Sequence, residues 1–315
     1  IDAESTKIFV DIEDGGKNLI KVSDNGTGMS KEDAAIAFER HSTSKIKDIN
    51  DLFSIKSLGF RGEALASIAS VSELEVKTKS KDSMEGTKII IEGGNVKKSE
   101  TIGFPQGTSI TIRNIFFNTP ARKKYLKPNE TENRHIIDVI TKFSLSHPYI
   151  HFRLKNNGKE IINSPHTDSQ LTNISFLYGS NTAKQLIEVN HVESNIVIKC
   201  YISKPKLNRA SKGEQSFFVN QRYVKKATVL SNALNDAYHT FMMVGRYPVS
   251  ILSIQIGPEK IDVNVHPTKA EIKFEDEKFI YDAMFNAITK TLEKSDLIPE
   301  ELEEVVDRKI QDFGN

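Results

Sequence analysis

The sequence predicts an α+β chain of two domains, on three observations. Short stretches alternate apolar and polar residues, longer stretches repeat an apolar residue every three or four positions, and 315 residues exceed one ordinary core. From the N-terminus, Ile8, Val10 and Ile12 alternate with Phe9, Asp11 and Glu13, Asp14-Gly15-Gly16 reads as a turn, and alternation resumes over 19–22. That pattern predicts a β-hairpin. Ser30 with Asp33 three residues on forms a capping box, so the Ala-rich stretch running to Arg40 is expected to be a short helix. Strands are expected at 74–78, 88–92 and 109–113, and a long helix over 130–146, where Ile136, Ile137, Ile140 and Phe143 make one apolar stripe.

Polar residues at 165–168 close this block, and a fresh apolar series begins over 171–177. The expected domains are therefore 1–167 and 168–295, with 296–315 as an acidic C-terminal extension or the start of a linker. The second domain is expected to hold strands at 196–202, 216–219, 249–256 and 262–265, and helices at 228–239 and 277–292. No internal repeat is visible.

Composition removes several function classes. Hydrophobic residues at 38%, charged residues at 27% and 10 prolines describe a chain that folds. No apolar run approaches the roughly 18 residues of a membrane span, and Ile1-Asp2-Ala3-Glu4-Ser5 has no signal-peptide character, so no membrane partner is expected. Cys200 is the single cysteine, which excludes an internal disulfide and cysteine-based zinc sites and suits a reducing, cytoplasmic setting. The formal charge is +1 but unevenly spread. Residues 196–226 carry eight basic side chains against Glu214, while 296–312 carry seven acids against Arg308 and Lys309. The chain opens without methionine, inside what reads as a helix end, and is expected to be a piece of a longer protein.

Four segments carry chemistry. Asp24-Asn25-Gly26-Thr27-Gly28-Met29 follows a strand and precedes a capped helix. A carboxylate at a strand end, followed by two glycines, can accept from an exocyclic amine while the backbone bends around a flat ligand; an ordinary capped turn has the same look. Leu58-Gly59-Phe60-Arg61-Gly62-Glu63-Ala64-Leu65 runs into a helical pattern, which would leave unpaired N–H groups and Arg61 facing a polyphosphate; a Gly-containing loop is the bland alternative. Arg40-His41-Ser42-Thr43-Ser44-Lys45 offers hydroxyls and cations, and Gln106-Gly107-Thr108 opens a strand. Neither means much alone.

Taken in order, these segments resemble the GHKL ATPase superfamily of gyrase ATPase domains, large heat-shock chaperones, histidine kinases and MutL. Residues 40–46 (RHSTSKI), 59–71 (GFRGEALASIASV), 116–126 (FFNTPARKKYL) and 262–274 (DVNVHPTKAEIKF) are specifically similar to MutL-type DNA mismatch-repair proteins. The resemblance implies a GHKL-type α/β sandwich ATPase domain followed by a smaller α+β transducer domain of the ribosomal-protein-like fold. It implies ATP and Mg²⁺ as cofactors. Asp24 would read the adenine amine, with Asn25 and Gly26 beside it, and Gly28 would let the base approach. Thr43, Ser44, Lys45, Arg61, Gly62, Ala64 and Leu65 would surround the phosphates, and Thr108 would set a hydroxyl beside the base. Gly59, Phe60 and Glu63 complete the lid over the nucleotide. Lys269 would reach the γ-phosphate from the second domain; taken alone, a lysine after His266-Pro267-Thr268 is a surface charge.

The family's general-base glutamate and Mg²⁺-coordinating asparagine precede the first residue here, since Asp2-Ala3 resembles the end of that motif. These 315 residues alone are thus expected to be nearly inactive, with no metal ligand of their own. The resemblance also implies ATP-driven self-association, coupling to a MutS-type mismatch sensor and sequence-independent DNA binding, the last through Arg209, Lys212, Arg222, Lys225 and Lys226. Its nuclease activity, in members that have one, lies in a C-terminal domain. The compartment would be the cytoplasm, at the nucleoid in a bacterium, or the nucleus in a eukaryote.

Two rival readings stay open: a gyrase-like topoisomerase ATPase region, and a nucleotide-sensing DNA scaffold that never hydrolyses ATP. A P-loop enzyme is excluded because no G-x-x-x-x-G-K-[ST] run occurs. His147 and His151 have helix-ligand spacing, but Pro148 argues against a continuous helix.

Overall fold

The opening hairpin forms as the alternation requires. In the computed structural model, which describes residues 1–39, 63–262 and 272–296, β1 (Lys7–Glu13) pairs antiparallel with β2 (Leu19–Asp24), Ile8 facing Asp24 and Glu13 facing Leu19. Ser30 caps α1 (Lys31–Ile36): its Oγ accepts from the Asp33 N–H at 3.0 Å and donates to the Asp33 carboxylate at 3.0 Å. The helix is shorter than expected, ending at Ile36, and Arg40 lies outside the described residues. After α2 (Ala64–Ala69) come β3 (Glu73–Lys79), β4 (Gly86–Glu92), β5 (Asn95–Ile102) and β6 (Gly107–Arg113). A short basic helix, α3 (Pro120–Lys124), and the long α4 (Asn129–Ser146) lead to the β7 (His151–Asn156) and β8 (Lys159–Ser164) hairpin and α5 (Gln170–Tyr178).

The eight strands make one sheet in the order β5-β4-β3-β6-β2-β1-β7-β8, antiparallel throughout except for β1 with β7. Register sorts its two faces. Val10, Val22, Ile110, Val76 and Ile89 lie opposite one another in one row across five strands. The other face carries a ladder of ion pairs, Lys77–Glu75, Glu75–Lys88, Lys88–Glu100 and Glu100–Lys98. These pairs hold the Glu75 and Glu100 carboxyls below their ordinary range; for Glu75 partial burial works against its two lysines, whereas for Glu100 the bond to Lys98 is the largest cause.

Two apolar clusters cover the inner face. One joins Ile140 of α4 to Val10, Ile12, Phe152 and Leu154; the other joins Ala34 of α1 and Ala69 of α2 to Leu74, Val76, Ile89 and Ile91. This first compact unit is Ile1–Gly179. It ends later than residue 167 because α5 packs on α4 and β8, where the buried Asn173 donates from Nδ2 to Ser164 Oγ at 2.8 Å.

The second compact unit begins at Ser180. After α6 (Ser180–Ala183), β9 (Leu186–Glu193) and β10 (Ile196–Ser203) form a hairpin, and β11 (Asn208–Arg209) precedes β12 (Gln215–Val219) and β13 (Arg222–Tyr223). Then come α7 (Thr228–Ala237), β14 (Tyr247–Pro248), β15 (Ser250–Gln255), β16 (Ile261–Asp262), β17 (Lys273–Phe274) and α8 (Glu277–Asp296). A five-stranded sheet, β13-β12-β15-β10-β9, has β12 parallel to β15 and its other pairs antiparallel. Leu230 and Leu234 of α7 and Met284 and Ile288 of α8 share a core with Ile198, Cys200 and Ile202. Of the strand expected at 262–265, Asp262 ends β16 and the rest lies outside the described residues.

Candidate nucleotide and nucleic-acid sites

Next to the apolar row, at the end of β2, the inner face turns polar. Ile8, Asp24, Thr108, Thr78 and Thr87 stand side by side across β1, β2, β6, β3 and β4. Thr78 is fully buried; its Oγ1 accepts from the Met29 N–H at 2.9 Å, lies 3.0 Å from Thr108 Oγ1 and is 3.1 Å from the Gly107 carbonyl. One hydroxyl thus fastens the chain just past Gly28 to the sheet. Asp24 is half-buried. Its Oδ1 accepts from the Gly26 N–H at 2.9 Å and from Ser5 Oγ at 3.2 Å, and among the described residues Oδ2 has no partner.

Val22, one step back along the same face, stays 36% exposed although its neighbour Val10 is buried. The helical cover therefore leaves an apolar strip bounded by a carboxylate. A flat ring with an amine at its edge matches that pairing of surfaces.

The glycines have a more local cause than room for a base. Gly28 sits at φ 69°, and a Cβ there would fall 1.9 Å from the Lys79 carbonyl oxygen; a Cβ on Gly26 would fall 2.4 Å from that of Ala3. Both positions need glycine for chain-to-chain approach. Asn25 points to the N-terminal segment: its Oδ1 accepts from the N–H groups of Thr6 (3.0 Å) and Lys7 (2.8 Å), and its Nδ2 donates to Thr6 Oγ1 at 2.8 Å. Gln106 donates from Nε2 to the Gly26 carbonyl at 3.1 Å.

The sequence-predicted residues Asp24, Asn25, Gly26, Gly28 and Thr108 are thus gathered in one place. Ala64 and Leu65 open α2, and no side chain hydrogen-bonds to its first turn from the Glu63 cap position. Thr43, Ser44, Lys45, Gly59, Phe60, Arg61, Gly62 and Lys269 lie outside the described residues. Ser5 and Thr78 escaped the sequence reading. Thr78 left a trace, a polar residue where the alternation Leu74, Val76 calls for an apolar one; Ser5 left none.

In the second unit, the basic residues fall into two groups. Arg209 pairs with Glu214 at 2.8 Å, and Lys212 Nζ lies 5.3 Å from the ring of Tyr247, which faces Arg209 across β11 and β14. Arg222 opens the edge strand β13, and Lys225 and Lys226 follow it, both exposed. The first unit has a basic surface that the charge count overlooked, because Glu130 and Glu132 follow directly: Arg122, Lys123, Lys124 and Lys127 are all exposed, beside Tyr125 at 85% exposure. His147 and His151 occupy different elements, the C-cap of α4 and the start of β7, and among the described residues no cluster of three or more His, Cys, Asp or Glu could hold a metal. No described helix is long and apolar enough to cross a membrane.

Known proteins resemble the chain in both sequence and fold. Residues 1–113 match the family described as histidine kinase-, DNA gyrase B- and HSP90-like ATPase, and residues 174–293 match the DNA mismatch repair protein, C-terminal domain family. The DNA mismatch repair protein MutL of Streptococcus agalactiae is 42% identical over 318 residues, covering 99% of this chain and 48% of that protein. The chain spans about half the length of the curated relatives it matches. Among solved structures, the N-terminal domain of a DNA repair protein superposes with TM-score 0.80 at 26% identity, covering 94% of this chain and 91% of that one. The Aquifex aeolicus MutL ATPase domain complexed with ADP gives TM-score 0.63 at 26% identity, covering 82% and 87%. With sequence likeness along nearly its whole length and both halves matched by their families, the chain belongs to the MutL-type DNA mismatch repair proteins, as a region that carries the GHKL ATPase fold.

Proposed function

We propose that this region binds ATP on the inner face of the eight-stranded sheet and uses it to hold DNA during mismatch repair. The observation that carries the reading is Asp24, anchored through Oδ1 with Oδ2 left to accept, at the edge of the strip around Val22. Adenine fits there by chemistry: its amine is a donor for the carboxylate and its ring an apolar plane for the strip. The first turn of α2, at Ala64 and Leu65, which the Glu63 side chain does not cap, would supply N–H groups for phosphate, with Lys45, Arg61 and Lys269 as expected cations. Bound ATP supplies a phosphoanhydride whose cleavage makes the switch reversible. Mg²⁺ would accompany the triphosphate and offset part of its charge.

DNA is assigned to the basic surfaces, Arg222, Lys225 and Lys226 with Arg209 and Lys212 in the second unit and Arg122 to Lys127 in the first. Such surfaces bind phosphates without reading sequence. Nucleotide-driven lid ordering, self-association into a clamp and communication with a MutS-type sensor complete the reading, in whatever compartment holds the DNA. The deciding experiment is retention of the intact protein on DNA after a salt wash. Closed circular DNA should retain it when ATP and Mg²⁺ are present, and linear DNA should release it; equal retention without nucleotide would rule the clamp out.

A further inference from the structure

The segment ahead of β1 is stitched to the Asp24–Thr27 loop by more bonds than a chain entering a strand requires. The Thr27 N–H donates to the Ala3 carbonyl at 2.9 Å, Asn25 clasps Thr6 and Lys7, and Ser5, only 4% exposed, donates from Oγ to Asp24 Oδ1 at 3.2 Å. The fit is close on the other side too, since a Cβ on Gly26 would fall 2.6 Å from Ser5 Oγ.

We infer that Ser5 is a positioning residue that sets the purine selectivity of the site by holding one oxygen of Asp24 so that the other points at the ligand. The inference rests on the nucleotide reading above and adds a residue to it. A carboxylate is free to rotate about its terminal torsion, which is broad and nearly two-fold. Two donors on the same oxygen, Gly26 N–H and Ser5 O–H, remove that freedom. The remaining oxygen is then an acceptor with a fixed direction. A purine with an amine at C6 gains a hydrogen bond there, whereas one with a carbonyl at C6 sets two acceptors against each other. Without Ser5, Gly26 alone fixes Asp24, and the difference between the two purines narrows.

The test is to titrate the intact protein with ATP and with inosine triphosphate, which has the C6 carbonyl. Ser5→Ala should weaken ATP binding about fivefold, the scale of one hydrogen bond, while leaving inosine triphosphate little changed. Ser5→Cys, which keeps a weak donor of similar size, should fall between. A loss shared equally by both nucleotides would mark Ser5 as a mere structural brace, and no loss would leave it without a role; either overturns the inference. Asp24→Asn run in parallel separates the two levels. If that change spares ATP binding, the nucleotide site itself is misassigned; if it abolishes binding while Ser5→Ala keeps the original ratio, only the role of Ser5 falls.

Discussion

Asp24 and Thr108 face each other across β2 and β6, and Thr108 lies 3.0 Å, hydroxyl to hydroxyl, from Thr78 on the next strand. The carboxylate proposed to read the base therefore shares its row with the hydroxyl that ties the following loop to the sheet. Disturbance at any of the three should be felt at the others.

Thr78→Val keeps the volume but removes the acceptor of the Met29 N–H, the donor to the Gly107 carbonyl and the hydroxyl partner of Thr108. The site is buried, so the orphaned N–H costs about 1–3 kcal/mol. Thermal or urea unfolding should show that loss, and ATP affinity should fall with it; a variant as stable as the parent would show that the hydroxyl is not structural.

Gly28→Ala combines a left-handed backbone at φ 69° with a Cβ 1.9 Å from the Lys79 carbonyl. The loop must move, at a cost on the order of 3 kcal/mol or more, which corresponds to a fall in Tm of roughly 10 °C for a unit of this size. Calorimetry measures it directly. Recovery of full ATP binding in a destabilised variant would separate the fold of the loop from its proposed task.

His147 is buried at the end of α4, its Nδ1 2.7 Å from Ser146 Oγ and 3.2 Å from the Phe143 carbonyl, and burial pushes its pKa down. The folded protein therefore binds this proton less readily than the unfolded chain, whose histidine titrates near 6.5. Stability from this group is complete above that value and is lost as pH falls from about 6.5 toward the lower folded pKa. Unfolding free energies measured from pH 7 to 5 should decline, and less steeply in His147→Gln. Identical slopes would remove His147 as a cause.

Charge reversal of Arg222, Lys225 and Lys226 together should weaken DNA binding on every sequence tested. Each phosphate contact contributes about 0.9 to the logarithmic salt slope, so losing three should flatten it by roughly 2–3. Unchanged titrations would shift the DNA surface elsewhere, with Arg122, Lys123, Lys124 and Lys127 as the next set to reverse.

Much of this was legible in the residues. Alternation located β1, β2, β3, β4 and β6, and the stripe from Ile136 to Phe143 located α4, because each buries one face against the sheet. Strand β5 was not visible: Asn95-Val96-Lys97-Lys98-Ser99-Glu100 lies at the sheet edge, largely exposed, and its pairing comes from backbone hydrogen bonds and from charges on β4. In sequence α5 looks like a new beginning, yet it packs on β8 within the first compact unit. At the site, Asp24 stands out by its motif, and Thr108 only through the family resemblance. Their partners do not, for the hydroxyl of Ser5 acquires meaning only when the chain folds back over Gly26.

The most direct measurement is calorimetric titration of ATP into the intact protein and into its Asp24→Asn variant. A carboxamide in place of the carboxylate presents an N–H or a neutral carbonyl to the adenine amine, so affinity should drop at least tenfold, the scale of a hydrogen bond to a charged group. Equal affinities for the two proteins would mean that the base is recognised elsewhere, and the site proposed on the inner face of the sheet would be wrong.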